Sequence, residues 1–526
     1  MPATSEDSFV KRARKRSREA YPGLAAGAFA LGLYAATLAP TTLPYDLPEL
    51  PDAAMLQMQA CVLGITHPTG YPSYLVLTHL FTYLPFGDCA YAVNLASAVY
   101  AALAVVAVYW AGLLLARSVI AALVGALAFG VGTTFWSQAV IAEVYTLNAL
   151  LVALSLGVLL LWREQRRDRY LLLAALLLGL CLTNHMTSGA LLPAAFLFVA
   201  AVERRKLLEW RLILKGAGLF VLGLLPYAYL PLRASMEPPM SANKPDTPER
   251  FWYVVSGGNL RGTFFAFGPG EMPGRMRMYL EHLFENFHWV LVEVGLLGFL
   301  ALLVWDRAAA LLLGVPYAIW LVHALGNNIV DVELYFIPTY LVLALCVSRG
   351  GALLLSEAQV LLGRLGGAPA GFGAAALSGL LLLASLASLP RAYAANDMSG
   401  YYRGREILET VACRVEPGST VLHHRSNLWY LVLVEERRRD LTLVDPFRHN
   451  REVSYADLVW PAEMDLRTTD RVYGTDDPSG LKSARIAVRR GPVYLLAQEE
   501  ADPRPFREAG WRVVRVEGPL YRLLPP

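Results

Sequence analysis

Apolar residues run through this chain in long unbroken stretches. The runs at 21–40, 91–115, 118–135, 145–162, 171–184, 186–201, 212–231, 287–304, 308–325, 334–348 and 371–389 each predict a helix, and most are long enough to cross a bilayer core of about 30 Å. Eleven spans follow from this pattern. Segment 71–86, YPSYLVLTHLFTYLPF, is apolar but short and bounded by proline, which predicts a helix lying in the interface. From Asn396 the pattern changes. STVLHH and LTLVDP read as strands, SNLWYLVLVEERRR as a helix, and RIAVRRGPVYLLAQ and WRVVRVEGPLYRLL alternate like further strands. The expected fold is mainly α: a polytopic membrane protein over 21–390 behind a basic N-terminus at 1–20. Outer loops fall at 41–90 and 232–286, and a small α/β domain occupies 391–526.

The composition agrees, with 56% hydrophobic and 17% charged residues in 526. Charge sets the orientation. With the N-terminus in the cytosol, Arg117, REQRRDR at 163–169, RRKLLEWR at 204–211, Arg307 and Arg349 to Arg364 all fall inside, as the positive-inside rule requires. Making 71–86 a true span would move REQRRDR outside. The basic stretch VKRARKRSR at 10–18 is read as the flank of a retained first span. Five cysteines, an odd number with no Cys-x-x-Cys spacing, argue against a disulfide framework or a zinc site. Location in a plasma (inner) membrane, with the polar site and the C-terminal domain extracytoplasmic, is the matching expectation.

The unusual polar residues then gather on one face. Asp46, Glu49, His67, Glu143, Asn184, His185, Arg233, Asp331 and Glu333 all lie in outer loops or at outer helix ends. Ionisable groups near membrane depth are costly and mark function. Blander readings compete for several neighbours. Asp52 after Pro51 suits the start of a helix, Glu333 a solvated position, and His79 and His323 packing. His282 and His288 suit the amphipathic lead-in to a span.

The residues DLPEL, GITHPTGYPSYLVL, TFWSQAVIAEVYTLN, GLCLTNHMTSGALLPA, YLPLRA and DVELYFIPTYL together resemble a family of integral-membrane proteins. It includes the metazoan endoplasmic-reticulum protein O-mannosyltransferase acting on plexin-type receptors, and bacterial members. The resemblance covers roughly residues 20–350 and looks like a branch of the GT-C glycosyltransferases. It implies a multi-span enzyme with a catalytic acid in the first outer loop and a polyprenyl-phosphate sugar as donor. The chain departs from the family's Asp-Ser-Gly-Glu-Leu at Asp46-Leu47-Pro48-Glu49-Leu50, keeping the acids and the leucine.

Sugar transfer from a lipid phosphate needs a base for the accepting hydroxyl and positive charge or donors for the departing phosphate. Asp46 is the expected base and Glu49 the second catalytic carboxylate. Prolines 44, 48 and 51 hold the segment extended, so the two carboxylates stand up to about 10 Å apart, too far to share a proton. The resemblance implies inversion; a retaining route would need a carboxylate pair about 5 Å apart, and Glu143 is the partner to consider. His67, Glu143, His185, Arg233, Asp331 and Tyr335 are the expected donor-phosphate and substrate contacts, with Arg233 able to clamp phosphate through two donors. No HExxH or Asp-x-Asp signature is present, so neither a metal nor a cofactor is assigned. Partners are the polyprenyl-phosphate sugar, a hydroxyl acceptor on protein, lipid or glycan, and membrane lipids; no nucleic acid is implied. His423, His424 and Arg425, at a strand-to-helix turn of the tail, are candidates to face the acceptor. The competing classes are a lipid-linked-sugar transporter or flippase and a non-catalytic scaffold. A transporter would carry ionisable groups near mid-membrane and broken, repeated helices, which the clean apolar centres of these runs argue against.

Overall fold

The computed structural model describes residues 5–44, 52–241, 244–363, 368–424, 426–446, 479–498 and 501–526. The helices in chain order begin with α1 (Ser5–Ala36), α2 (Ala53–Val62), α3 (Pro72–His79), α4 (Cys89–Ala116), α5 (Val119–Gly130) and α6 (Thr133–Ala139). Next come α7 (Tyr145–Gln165), α8 (Asp168–Asn184), α9 (Leu191–Glu203), α10 (Trp210–Gly223), α11 (Tyr229–Ser235) and α12 (Pro248–Val255). The membrane part closes with α13 (Met272–Asn286), α14 (Trp289–Trp305), α15 (Arg307–Gly326), α16 (Ile337–Gly363), α17 (Ala368–Leu386) and α18 (Leu389–Asn396). Every one of the eleven expected spans falls on a helix. Among the described residues six helices are long and apolar enough to cross a membrane. That number becomes nine when each of three bent pairs (α5–α6 at 66°, α10–α11 at 41°, α13–α14 at 108°) is taken as one span. The expected spans 21–40 and 171–184 correspond to α1 and α8.

Helices dominate because no water reaches the hydrocarbon to satisfy open backbone groups. α4 packs against α1, α5, α7 and α16. Its sequence explains this: Ala96, Ala101, Ala104, Ala107 and Ala111 are all buried, and small side chains let neighbouring backbones approach closely. The closest approach joins α14 to α16. A Cβ on Gly298 would sit 1.9 Å from the Cys346 carbonyl oxygen, and one on Gly350 would sit 1.9 Å from that of Val294. Only glycine fits at either position.

Segment 71–86 is α3 followed by a 3-10 turn at Leu80–Tyr83. Eight residues of α-helix reach about 12 Å, too short to span. Val76, Leu77, Leu80, Tyr83 and Phe86 are exposed along it, the expected face for an interfacial helix.

The tail forms a lobe built on α19 (Arg403–Arg414) and a five-stranded sheet, with β1 (Thr420–Leu422), β2 (Thr442–Val444), β3 (Val493–Leu496), β4 (Arg512–Glu517) and β5 (Leu520–Leu524) in the order β2-β1-β3-β5-β4. β1 pairs in parallel with β2 and β3, whereas β3–β5 and β4–β5 are antiparallel. One expected strand is partly corrected. The RIAV end of RIAVRRGPVYLLAQ belongs to a helix, Leu481–Ala487, and only Val493–Leu496 is strand. Ser483, Ala484 and Ala487 lie buried on one face at helical spacing, which overrides the local alternation.

The expectation was of no disulfide framework; one bond is nevertheless present. Cys61, at the end of α2, is bonded to Cys89, the first residue of α4. Five cysteines leave room for a pair without a wider framework, and Cys181, Cys346 and Cys413 are free.

Candidate functional site

The residues between α2 and α3 make a tight turn. Gly70 has φ +84° and donates its N–H to the His67 carbonyl at 2.7 Å. Positive φ is free for glycine, and Leu230 and Val254 would crowd a Cβ there at 3.1 and 3.2 Å. The turn delivers two rings to one place, since His67 and Tyr71 meet edge to face with centroids 5.3 Å apart. Tyr71 stacks on His185 at 6.0 Å. His185 also meets Tyr145 at 5.4 Å and Tyr335 at 5.6 Å, and Tyr335 meets His323 at 5.7 Å. Six aromatic residues from five separate segments therefore form one continuous ring cluster. His323, read from the sequence as a packing residue, belongs to it.

Carboxylates line the same place. Asp52 opens α2 without a side-chain cap bond; its carboxylate lies 3.5 Å from Nε2 of His67. This corrects its reading as only a helix-start acid. Glu143 is buried in the link before α7, where its carboxyl accepts the Val144 N–H at 3.3 Å and its own N–H donates to Ser97 at 3.2 Å. Burial pushes the Glu143 carboxyl well above the usual carboxylate range, and the nearby charges of Asp52 and Asp331 push it the same way. Asp331 stands just before the 3-10 turn Val332–Phe336; burial raises it to about 6, with Asp52 adding to the effect. His185 is lowered to about 4 by burial and by the neighbouring His323 and His67, so its ring is neutral at pH 7. Its Nδ1 pairs with the Thr187 hydroxyl at 2.7 Å.

Five of the expected contacts, His67, Glu143, His185, Asp331 and Tyr335, are thus brought together. Asp46 and Glu49 lie outside the described residues. Arg233 is engaged elsewhere: its Nε and Nη2 donate to the carbonyls of Leu63 and Val62 at 2.6 and 3.1 Å. It caps the C-terminus of α2, a natural place for a cation, and so fixes the helix that Asp52 begins. Glu333 is half-buried beside a separate cavity. Among the described residues no three His, Cys, Asp or Glu side chains are grouped as a metal cage. In the tail lobe His423 is fully buried and His424 pairs with Asp445 at 3.0 Å in the interior. These two histidines support the lobe rather than facing outward, and Arg425 lies outside the described residues.

An apolar groove of about 580 Å³ opens beside the rings, between the start of α9 and α15. Met186, Ala190, Phe264, Ile319, Val322 and His323 line it. Val322 and Ile319 are exposed on the outside of α15. His323, shared by groove and cluster, joins a lipid-like surface to a polar one.

The tail lobe is keyed to the chain between α1 and α4. Arg405 in α19 donates to Asp88 at 2.7 Å and pairs with Glu435 and Glu409. Asp88 also accepts the Thr41 hydroxyl at 2.5 Å and caps α4 by accepting the Tyr91 N–H at 2.8 Å. The lobe's apolar core continues into Met58 and Ala90 of the membrane part.

Comparisons fit this arrangement. Residues 52–208 match the family described as "Protein O-mannosyl-transferase TMEM260 N-terminal domain". The chain is 31% identical over 216 residues to the mouse (Mus musculus) protein O-mannosyl-transferase TMEM260, a stretch covering 40% of this chain and 31% of the relative. It therefore spans about a third of the length of the curated relative it matches. Its fold is similar to that of ArnT from Cupriavidus metallidurans, solved bound to undecaprenyl phosphate, with a TM-score of 0.59 at 13% identity over 94% of this chain and 96% of that one. It is also similar to the apo oligosaccharyltransferase of Archaeoglobus fulgidus, with a TM-score of 0.53 at 13% identity over 90% of this chain and 69% of that one. The resemblance read from the sequence is matched at both levels: residues 52–208 are similar to the TMEM260 N-terminal domain, and the chain as a whole has a polytopic fold of the kind seen in ArnT and the oligosaccharyltransferase.

Proposed function

We propose that the chain is a membrane glycosyltransferase that moves a sugar, mannose by analogy with the named relative, from a polyprenyl-phosphate donor to a hydroxyl on protein, lipid or glycan. The observation that carries this reading is the convergence of Asp52, His67, Glu143, His185, Asp331 and Tyr335 beside an apolar groove, in a chain with the TMEM260 domain. The groove suits the isoprenoid chain and its polar end the phosphate. Asp46 acts as base on the accepting hydroxyl and Glu49 as the second carboxylate, in a single inverting displacement. Asp52 orients His67, which donates to the departing phosphate oxygen, while Glu143, held protonated by burial, donates a further hydrogen bond. General-base help of this kind is worth roughly 10² to 10⁴ in rate, and preorganised donors in a site shielded from water add to it. The site faces the extracytoplasmic side. The Cys61–Cys89 bond supports that orientation, because disulfides persist in oxidising compartments.

The test is purified protein in lipid nanodiscs with a panel of polyprenyl-phosphate monosaccharides, measuring release of free polyprenyl phosphate. Release with one donor that disappears in Asp46→Asn establishes the reading and names the donor. If no donor is consumed although the lipids bind, the scaffold or transporter reading takes its place.

A further inference from the structure

Basic residues crowd the end of the membrane part that lies farthest from the ring cluster. α7 runs from Tyr145, in the cluster, to Gln165, and α8 returns from Asp168 to Asn184, beside His185. A helix the length of α7 covers about 32 Å, one bilayer core. The α7–α8 link and the α9–α10 turn therefore lie a full span away from the rings.

These two turns are locked together. Arg166 donates to the Val202 carbonyl at 3.1 Å and pairs with Glu203 at 3.3 Å. Lys206 pairs with Asp168 at 2.9 Å and with Glu209 at 3.0 Å. Glu164 is taken by Arg117 at 3.1 Å. The carboxylates of both turns are thus in use. Arg167, Arg204 and Arg205 are left exposed, with no carboxylate partner among the described residues. Arg211 sits over the Trp210 ring at 5.3 Å, and Lys215 is exposed one turn further along α10.

The same turn is apolar as well as basic. Leu208 is 81% exposed and Trp210 63%. An uncovered leucine beside bare guanidinium groups fits the boundary between headgroups and acyl chains, where tryptophan also collects. Beyond it α10 leans on α8 through glycine. A Cβ on Gly179 would sit 2.3 Å from the Phe220 carbonyl oxygen, and one on Gly223 would sit 2.4 Å from that of Leu176. That contact takes one side of α10. Ile213, Leu214, Val221 and Leu222 stay exposed, spaced two turns apart on one face. A cationic head site and an apolar wall follow one another along a single helix.

We propose that the α9–α10 turn, backed by the α7–α8 link, is a binding site for an anionic phospholipid. Arg167, Arg204 and Arg205 take the headgroup phosphate and its surplus negative charge, and an acyl chain lies along the open face of α10. Charge selects this occupant. A zwitterionic headgroup carries its own ammonium and gains little from bare arginines, while a soluble anion would leave Leu208 and Trp210 uncovered. The site stands a bilayer away from the rings and does not depend on the glycosyl-transfer reading.

The test is competition for bound lipid. Full-length protein is reconstituted in nanodiscs of phosphatidylglycerol and phosphatidylcholine in equal parts, released into detergent, and weighed with its retained lipids by native mass spectrometry. Wild type should retain phosphatidylglycerol over phosphatidylcholine by roughly tenfold, and Arg204→Gln with Arg205→Gln should bring the ratio to within about twofold of one. Arg204→Lys with Arg205→Lys keeps the charge and should keep most of the preference. Arg489→Gln with Arg490→Gln removes the same charge from the exposed surface of the tail lobe and should change nothing. An unchanged Tm certifies each variant as folded. Should the glutamine pair lower Tm, Arg167→Gln alone is read, with a drop of roughly threefold expected and no drop counting against the site. The proposal is overturned by a wild type without preference, or by a preference that survives in the folded glutamine pair. It is also overturned by equal loss in the tail-lobe pair, which marks net charge alone, or by displacement of the lipid with inorganic phosphate, which marks a soluble-anion site.

Discussion

Arg405 and Asp88, 317 residues apart in sequence, are joined by a 2.7 Å ion pair that fastens the tail lobe to the chain between α1 and α4. Thr41, on the same Asp88 carboxylate, opens the segment that runs to Asp46 and Glu49. Directly beside Arg405, a Cβ on Gly404 would sit 2.1 Å from the Thr42 carbonyl, so lobe and loop backbones are in contact. Arg405→Leu leaves Asp88 and Glu435 half-buried without their cation, a loss of about 2 kcal/mol. Limited proteolysis should then cut between 390 and 403 faster, with turnover reduced at least tenfold. Unchanged cleavage and turnover would remove the lobe from any part in holding the loop.

Asp52→Asn keeps the size of the side chain and removes its charge beside His67. The expected result is a kcat lowered about 10- to 100-fold, the range for a group that orients a catalytic partner, with lipid-phosphate affinity changed much less. An activity equal to wild type would return Asp52 to a helix-start acid.

Glu143→Gln replaces a buried carboxyl that burial already keeps neutral. Stability should hold or rise, because Gln retains the shape and forgoes a costly ionisation. Activity should fall at least tenfold if the proton of Glu143 is used. Thermal melts and donor turnover on the same sample separate the two effects.

Asp331 titrates near 6 in the folded chain against an ordinary value of 3.8. Between these values the folded state holds more protons than the unfolded one. Stability from this group is therefore full below about pH 4, is lost as pH rises through 6, and is level above that. The difference is roughly 3 kcal/mol. Asp331→Asn should flatten this part of the profile, measured as Tm against pH; a slope surviving in the variant assigns it to another group.

The Cys61–Cys89 bond closes a loop with a sequence separation of 28, which contributes about 3.6 kcal/mol by loop entropy. It ties α2 to α4 around the His67 turn. Reduction, or Cys61→Ser with Cys89→Ser, should lower Tm by several degrees and raise KM for the donor. Mass spectrometry of unreduced protein, showing both thiols free to alkylate, would be the contrary result.

Helix positions were legible because apolar runs of bilayer length have few alternatives once backbone bonding is required. That 71–86 is too short to span was legible for the same reason of length. The polar face was half legible. Glu143, His185 and Asp331 stand out as ionisable groups at helix ends, and the HPTGYP turn announces His67. Asp52 was hidden because its neighbour Pro51 gives a sufficient local reason for an acid there; only the return of the chain 15 residues later sets it against His67. His323 has nothing in its local sequence to separate it from a packing residue, since its partner Tyr335 comes from the next helix. The disulfide was obscured by an odd cysteine count, and the helix Leu481–Ala487 by an alternation that fits strand equally well. Arg233 was read as a phosphate clamp at a helix end, but helix-end carbonyls compete for such a cation as well as phosphate does.

The glycine contact between α14 and α16 limits how this protein can move. With Gly298 and Gly350 seated against opposite backbones, sliding either helix by one residue would drive a side chain into a carbonyl oxygen. α14 and α16 therefore travel as one rigid rib. Opening and closing around a substrate must be taken up at the ends of that rib, in the 108° elbow at Phe287–His288 and the 3-10 turn before Ile337. The second of those joints carries Tyr335 of the ring cluster, so a crosslink across it should freeze turnover while leaving the helical frame intact.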